Sequence, residues 1–166
     1  MIAMEVVGVQ EVLPSDTPVV ILREVDGERI LPIFIGLPEA KAIALALAGQ
    51  EPPRPMTHDL MSLFLETFSV SVEQVLVTDL RERTFFAELT LRGPAGVEVM
   101  SARPSDAIAL AVRNGAPVFV AEEVLDDAGF VAPPPTTEES GGPGAEAQLQ
   151  EFRAFLESVQ PEDFDS

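Results

Sequence analysis

The sequence predicts an α+β fold, in which a single compact domain carries an antiparallel β meander with inserted helices, followed by a flexible acidic C-terminal tail. Short segments with alternating apolar residues occur in consecutive groups, and segments with helical periodicity lie between the groups. Apolar residues make up 46% of the 166 residues, which is enough for the core of one domain of ordinary size.

Three strands are predicted at the start of the chain. Residues 4–12 and 18–25 are rich in β-branched residues and are joined by the turn-forming segment LPSDT. An Asp-Gly pair then offers a tight hairpin turn into a third strand at residues 29–36. Because proline cannot donate a ladder hydrogen bond, Pro32 indicates an edge position or an irregularity in this third strand.

Two helices are predicted next. Residues 37–50 form the first, because a proline suits its first turn, Glu39 complements the positive end of the helix dipole, and a glycine stands at its end. The EPPRP segment that follows cannot be regular structure, since three of its five residues are proline. The second helix covers residues 57–68, with Thr57 as its N-cap and Asp59 in its first turn.

A second group of strands is predicted at residues 71–80, 84–93 and 97–102, which alternate as a continuation of the meander. A third helix then begins at Pro104 and ends at Gly115. The letters AIALA occur in this helix and in the first one, which we interpret as coincidence in an alanine-rich chain.

A short buried strand at residues 116–120 and a helical turn at 122–130 complete the predicted domain, which we place at residues 1–130. Residues 131–145 are rich in Pro, Gly, Ser and Glu, and predict a flexible linker. Residues 146–166 are predicted as an acidic tail with a short amphipathic helix. Its apolar positions recur at helical spacing: Leu149, Phe152, Leu156 and Val159.

The net charge of −18 limits the function classes. Residues 131–166 hold eight acids against Arg153, and residues 1–130 hold twenty acids against nine basic residues, a net charge of −11. Nucleic-acid binders usually carry a basic surface, and this chain has no cluster of Lys and Arg. A nucleic acid would therefore be met by a few arginines that the fold gathers, or by a metal held on carboxylates.

Cysteine is absent, which excludes disulfides and thiolate chemistry. We find no apolar run of the roughly 20 residues that a membrane span needs, and no signal-peptide pattern at the N-terminus. The expectation is a cytoplasmic protein with no membrane association.

The PPRPMTHDL segment contains the one histidine of the chain. His58 could act as a general base or metal ligand, with Asp59 orienting it and Arg54 clamping a phosphate. An ordinary helix start explains the same letters, because Thr57 would cap the helix and Asp59 would satisfy its dipole. Neighbouring residues on a helix point about 100° apart, so His58 and Asp59 are not expected to act on one atom.

The SARPSDAIAL segment offers a second candidate cluster. Arg103 precedes a proline and should be extended, and Ser105 and Asp106 lie in a first helical turn, where free backbone N–H groups can hold an anion. Arg54 shares this pre-proline context. The two arginines either bind phosphate in one cleft or pair with Asp59 and Asp106, and pairing is slightly favoured.

The motifs LPIFIGLPEA, PPRPMTHDL and ARPSDAIALA, in this order and spacing, resemble the bifunctional nuclease family over about residues 3–130. The resemblance implies a compact α+β domain that self-associates, in a family credited with DNase and RNase activity. An amphipathic last helix that needs a partner also favours a homo-oligomer, most simply a homodimer. One departure is visible, since Phe86 stands where many relatives have a tyrosine.

We therefore expect a hydrolase, a nuclease that acts on DNA or RNA and depends on a divalent metal, Mg²⁺ or Mn²⁺. The candidate catalytic residues are His58, Asp59, Arg54, Arg103 and Asp106. The candidate substrate-binding residues are Arg54, Arg103, Ser105 and Thr57. The candidate metal ligands are Asp59, Asp106 and Glu39. The alternative is a non-enzymatic regulatory or scaffold domain that binds a small anionic ligand or a protein partner.

Overall fold

The computed structural model describes residues 1–12 and 17–131. The elements in these residues are, in chain order, β1 (Ile2–Val12), β2 (Thr17–Glu24), β3 (Arg29–Phe34), α1 (Leu37–Leu47), α2 (Thr57–Thr67), β4 (Ser71–Arg81), β5 (Thr84–Gly93), β6 (Gly96–Ala102), α3 (Pro104–Asn114), β7 (Val118–Val120), α4 (Glu122–Ala128) and β8 (Phe130–Val131). The α+β class is confirmed.

All eight strands form one sheet in the order β6-β5-β4-β7-β1-β2-β3-β8. Strands β1 to β3 form one antiparallel meander and β4 to β6 form another, as the alternation predicted. The two meanders do not pair directly, because β7 lies between them, antiparallel to β1 and parallel to β4. The sheet is therefore mixed, and β7 reaches its place through a helical crossover, which a parallel pair requires.

Each meander is followed by a helix, so the order β-β-β-α occurs twice. The helices α1 and α3 are the two that contain AIALA, and they pack against each other. Both end at a glycine with positive φ, Gly49 at 62° and Gly115 at 65°. The two AIALA segments therefore lie in the corresponding helices of a structural repeat. Our interpretation of the shared letters as coincidence did not predict this repeat.

The core lies between the sheet and the helices. Helix α1 packs on β1 and β2, and α3 packs on β4 and β5. The largest fully buried side chains come from the first meander and from three helices: Leu22, Leu31, Ile43, Ile108, Leu110 and Leu125. The second meander contributes the fully buried Val75 and Val77 of β4. Helix α2 is peripheral, since it packs on α3 and its one buried residue is His58.

Some predicted boundaries need correction. The N-cap of α2 is Met56, not Thr57, because the Asp59 carboxylate accepts a hydrogen bond from the Met56 backbone N–H at 2.8 Å and starts the helix one residue earlier. Val131, the first residue of the predicted linker, belongs to β8. The rest of that linker and the tail 146–166 lie outside the described residues.

The predicted edge position of Pro32 is confirmed. Among residues 1–12 and 17–131, β8 pairs with Arg29 and Ile30 of β3, so Pro32 faces a described strand on one side only, at Ile21 of β2. Separately, the part of the chain that the structure describes contains no helix long and apolar enough to cross a membrane.

Candidate functional site

The first turns of α1 and α3 meet at the side chain of Arg103. This residue is the N-cap of α3, and its guanidinium donates to both oxygens of Asp106, from Nε to Oδ2 at 2.7 Å and from Nη2 to Oδ1 at 3.1 Å. Nη2 also donates to Oε1 of Glu39, in the first turn of α1, at 2.8 Å. The predicted pairing of Arg103 with Asp106 is confirmed, and Glu39 joins it.

His58 adds the first turn of α2 to this group. Its Nε2 lies 3.0 Å from Oδ1 of Asp106, and its side chain is 9% exposed. The interpretation of Asp59 as the acid that orients His58 is wrong, because the buried side of α2 turns the ring toward the start of α3. We refer to Glu39, His58, Arg103 and Asp106 as the Asp106 cluster.

Asp59 belongs to a different contact set. Its Oδ1 accepts from Nε of Arg113 at 2.6 Å, so the predicted pairing of Asp59 with Arg54 is wrong. The other two guanidinium nitrogens of Arg113 donate to the carbonyl oxygens of Ala109 and Ala42. Arg113, with a side chain only 9% exposed, therefore ties α1, α2 and α3 together.

Sequence reasoning missed Arg113. A single arginine in the last turn of a helix is ordinarily explained by the helix dipole. Nothing in the spacing shows that a partner 54 residues earlier will bury it.

Hydrogen bonding decides the ionisation of the two aspartates. Burial, the largest single influence, would raise the pKa of Asp106, but hydrogen bonds from Arg103 and His58 outweigh it and hold that pKa below the ordinary value. Burial is again the largest influence on Asp59, and hydrogen bonds from Arg113 and the Met56 N–H bring its pKa below the ordinary value. Both carboxylates are therefore anionic at neutral pH.

The remaining predicted residues do not join the Asp106 cluster through the contacts that the structure shows. Arg54 is exposed, and within residues 1–12 and 17–131 it makes no hydrogen bond or ion pair. Thr57 is exposed at the start of α2, and Ser105 is buried, 7% exposed, in the first turn of α3. That Arg54 and Arg103 line one cleft stays a prediction.

The predicted metal ligands do not form a resident metal site in this arrangement. Among the described residues, no group of three or more His, Asp or Glu side chains is placed to hold a metal ion. The carboxylates of Glu39 and Asp106 both face Arg103, and that of Asp59 faces Arg113. We therefore assign no step of the chemistry to these residues as metal ligands.

A cleft lies on the Arg113 side of α2. Its volume is about 790 Å³, and it is bounded by the ends of α1 and α3, by α2 and by the start of β4. Its polar lining includes Asp59, Arg113, Glu51, Glu66 and Asn114. No residue of the Asp106 cluster lines it, so the cleft and the cluster share no side chain.

The comparison with known families bears on this arrangement. A family model described as the bifunctional nuclease domain matches residues 20–133. This chain belongs to the bifunctional nuclease domain family. The matched range of this bifunctional nuclease domain includes the whole Asp106 cluster, Arg54 and the Asp59–Arg113 pair.

Two relatives of this bifunctional nuclease domain are proteins of Mycobacterium tuberculosis, one from strain CDC 1551 / Oshkosh and one from strain ATCC 25618 / H37Rv. Each is described as an uncharacterized protein. Each is 44% identical to this chain over 161 residues, which covers 97% of this chain and 96% of the relative.

Proposed function

We propose that this bifunctional nuclease domain hydrolyses phosphodiester bonds in DNA or RNA at the Asp106 cluster. The observation that carries the proposal is that three sequence motifs, far apart in the chain, supply side chains to one hydrogen-bonded group. A nearly buried histidine held by a carboxylate is an arrangement suited to general acid–base catalysis.

His58 is the proton-transfer group in this proposal. Asp106 holds Nε2, which fixes the ring and leaves Nδ1 to exchange a proton with the attacking oxygen. That oxygen belongs to water, and it forms a bond to phosphorus as one of its protons passes to His58. The bond from phosphorus to the leaving sugar oxygen breaks, that oxygen takes up a proton from solvent water, and His58 returns its proton to the solvent.

The two arginines have different roles in this proposal. The charge of Arg103 is already balanced by two carboxylates, so Arg103 positions Asp106 and Glu39. Arg54 is exposed and carries a positive charge that no described residue neutralises, so it is the group that contacts the phosphate.

The charges of the Asp106 cluster also support a second candidate function. The Asp106 cluster sets two carboxylates against the one guanidinium of Arg103, which does not attract a polyanion. The excess of negative charge favours the function of a regulatory or scaffold domain. In that function Arg103 serves only to join α1 to α3.

A nuclease assay on highly purified protein separates the two. We expect wild type to cleave labelled DNA or RNA, and Arg54→Ala and His58→Ala to lose about 100-fold or more in rate while keeping their circular dichroism spectra. Arg23→Ala is the matched control, because Arg23 is an exposed arginine on β2 that pairs with Glu5 of β1. Equal cleavage by wild type and all three variants would identify the activity as contamination and support the scaffold function.

The predicted dependence on Mg²⁺ or Mn²⁺ is tested in the same assay. Loss of activity in chelator, with restoration by either ion, would support a metal recruited together with the substrate phosphate, since a cation reverses the local sign of charge. Full activity in chelator would overturn the metal requirement and leave His58 as the base.

A further inference from the structure

The sheet has a second apolar cluster on the side away from the helices. Side chains alternate between the two sides of a sheet along each strand. Leu22 of β2 and Leu31 of β3 point into the main core, to which all four described helices contribute. The alternate positions of the same two strands form a separate cluster, which we call the outer cluster: Val19, Ile21, Ile30 and Phe34.

The outer cluster is more deeply buried than a single sheet allows. Val19 is 0% exposed and Ile21 is 6% exposed, although the apolar side chains packed against them both lie on the neighbouring strand β3. On the same side of the sheet, Phe86 of β5 and Val99 of β6 are 39% and 57% exposed. A sheet face is buried completely only beneath a second layer. Every helix within residues 1–12 and 17–131 packs on the other side, so another part of the protein supplies this layer.

We propose that the C-terminal segment, residues 146–166, packs on the outer cluster of its own chain and supplies this second layer. Val19 and Ile21 are buried within a single copy, so the layer that covers them comes from the same chain. The chain outside the described residues consists of 13–16 and 132–166. The amphipathic segment thus has its partner surface in its own domain.

The connection 13–16 is too short to be this layer. It leaves β1 at Val12 and enters β2 at Thr17, and these two residues are paired. A loop of four residues that starts and ends at one place extends less than about 10 Å from it. Ile21 lies four residues further along β2, which is about 13 Å.

The C-terminal segment is well placed to reach the outer cluster. Strand β8, after which residue 132 follows, pairs with Arg29 and Ile30, so the described chain ends beside the cluster. Residues 132–145 span up to about 45 Å when extended. Neighbouring strands are only about 5 Å apart, so this length is enough for the segment to turn back across β3 and β2.

The chemistry of the segment matches the surface. Its apolar residues recur at helical spacing, and they form a narrow stripe that needs an apolar partner: Leu149, Phe152, Leu156 and Val159. The outer cluster contains no charged residue, so an acidic segment meets no carboxylate within it. With the stripe on the sheet, the acids of the segment stay in water.

The exposure of the apolar residues distinguishes between two surfaces for the segment. Helix α2 and the residue after it present Leu60, Phe64 and Phe68, which recur every four residues and are all exposed. A segment packed there would shield these three side chains. The side chains that are shielded are Val19 and Ile21, which favours the outer cluster as the docking surface.

Tryptophan fluorescence tests this contact in the full-length chain, because the sequence contains neither Trp nor Tyr. Phe34→Trp places a single indole in the outer cluster, and Ile30→Trp places one at its other end. We expect both to show the short-wavelength emission and slow acrylamide quenching of a covered indole. Leu149→Asp/Leu156→Asp, added to either reporter, should shift the emission to longer wavelength and speed up the quenching.

Gln150→Asp/Ala154→Asp is the matched control, because it adds the same two charges on the opposite side of the predicted helix. This pair should leave the emission of Phe34→Trp unchanged, and neither pair should affect Phe68→Trp on the far end of α2. Equal effects of the two pairs, no response at both Phe34→Trp and Ile30→Trp, or a response at Phe68→Trp alone would overturn the proposal. A response that changes on dilution would also overturn it, since a contact within one chain does not depend on protein concentration.

Discussion

Asp59 and Asp106 both lie in the first turn of a helix, and both pair with an arginine, but the two arginines differ in exposure. The Arg103 side chain is 67% exposed, and that of Arg113 is 9% exposed. Water can solvate Arg103 when its partner is removed, whereas Arg113 would keep an uncompensated charge in the interior. The exposed pair therefore belongs to the surface chemistry of the site, and the buried pair to the stability of the domain.

Replacing Asp59 with alanine tests this difference. We expect the free energy of unfolding to fall by about 3 kcal/mol, because the buried Arg113 loses its counter-ion and the Met56 N–H loses its acceptor. Glu5→Ala breaks the exposed pair with Arg23 and should cost less than about 1 kcal/mol. Urea unfolding at pH 7 measures both, and equal losses would contradict the assignment of Arg113 to the interior.

The lowered pKa of Asp106 predicts a pH dependence of stability. Above about pH 4, the ordinary value for aspartate, the stabilisation is fully present. As the pH falls below that value, the unfolded state takes up a proton before the folded state does, so the stabilisation decreases and is lost below the depressed pKa.

The measurement is urea unfolding of wild type and Asp106→Asn between pH 7 and pH 2. The variant should be less stable at neutral pH, and the difference between the two proteins should shrink as the pH falls below about 4. A difference that stays constant with pH would show that the contact stabilises the fold without depending on the charge of Asp106.

At the scale of elements, the ends of the helices follow from local chemistry. Gly49 and Gly115 stand one or two residues beyond α1 and α3, and both adopt the left-handed conformation that the sequence expectation of a glycine stop implies. At Gly115 a Cβ would meet no atom within 4 Å, so a substitution there changes the backbone conformational energy without a clash.

Gly115→Ala should therefore lower the free energy of unfolding by about 1 kcal/mol, from the cost of a left-handed alanine alone. Gly8→Ala is the matched control. A Cβ at Gly8 also has open space, but its φ is not positive, so the change should be neutral or slightly stabilising. Thermal unfolding measures both, and equal shifts would show that the φ of Gly115 is not what the cap requires.

Contacts between elements are what the sequence predicts least well. Alternation predicted the six strands of the two meanders, and the pairing of Arg103 with Asp106 was within reach because the two are three residues apart. The contact of His58 with Asp106 spans 48 residues, and it depends on how α2 crosses α3. Periodicity likewise shows that α2 has two sides, but polar contacts from another helix decide which side is buried.

At the scale of the whole molecule, charge governs the approach of any nucleic acid. The net charge of −18 repels a polyanion at long range, and the proposed contacts with phosphate act only at short range. This protein should therefore respond to salt in the opposite sense from a basic nuclease.

Association with a labelled oligonucleotide should become faster as the salt concentration rises from about 0.01 to about 0.1 M. Over this range the Debye length falls from roughly 30 to roughly 10 Å, which screens the repulsion. Stopped-flow fluorescence measures the rate. A rate that falls steeply with salt would instead show a basic surface that releases counter-ions, which the sequence does not contain.

The position of β7 sets the order in which this domain can be assembled. Each meander consists of neighbouring strands and can form from its own hairpins, but Val118–Val120 must insert between β1 and β4 before the two halves share one sheet. Until then β1 and β4 each keep an unpaired edge, the kind of surface that promotes aggregation. Since the chain is made from its N-terminus, both halves are synthesised before the strand that unites them, and three residues near the end of the domain determine when folding can finish.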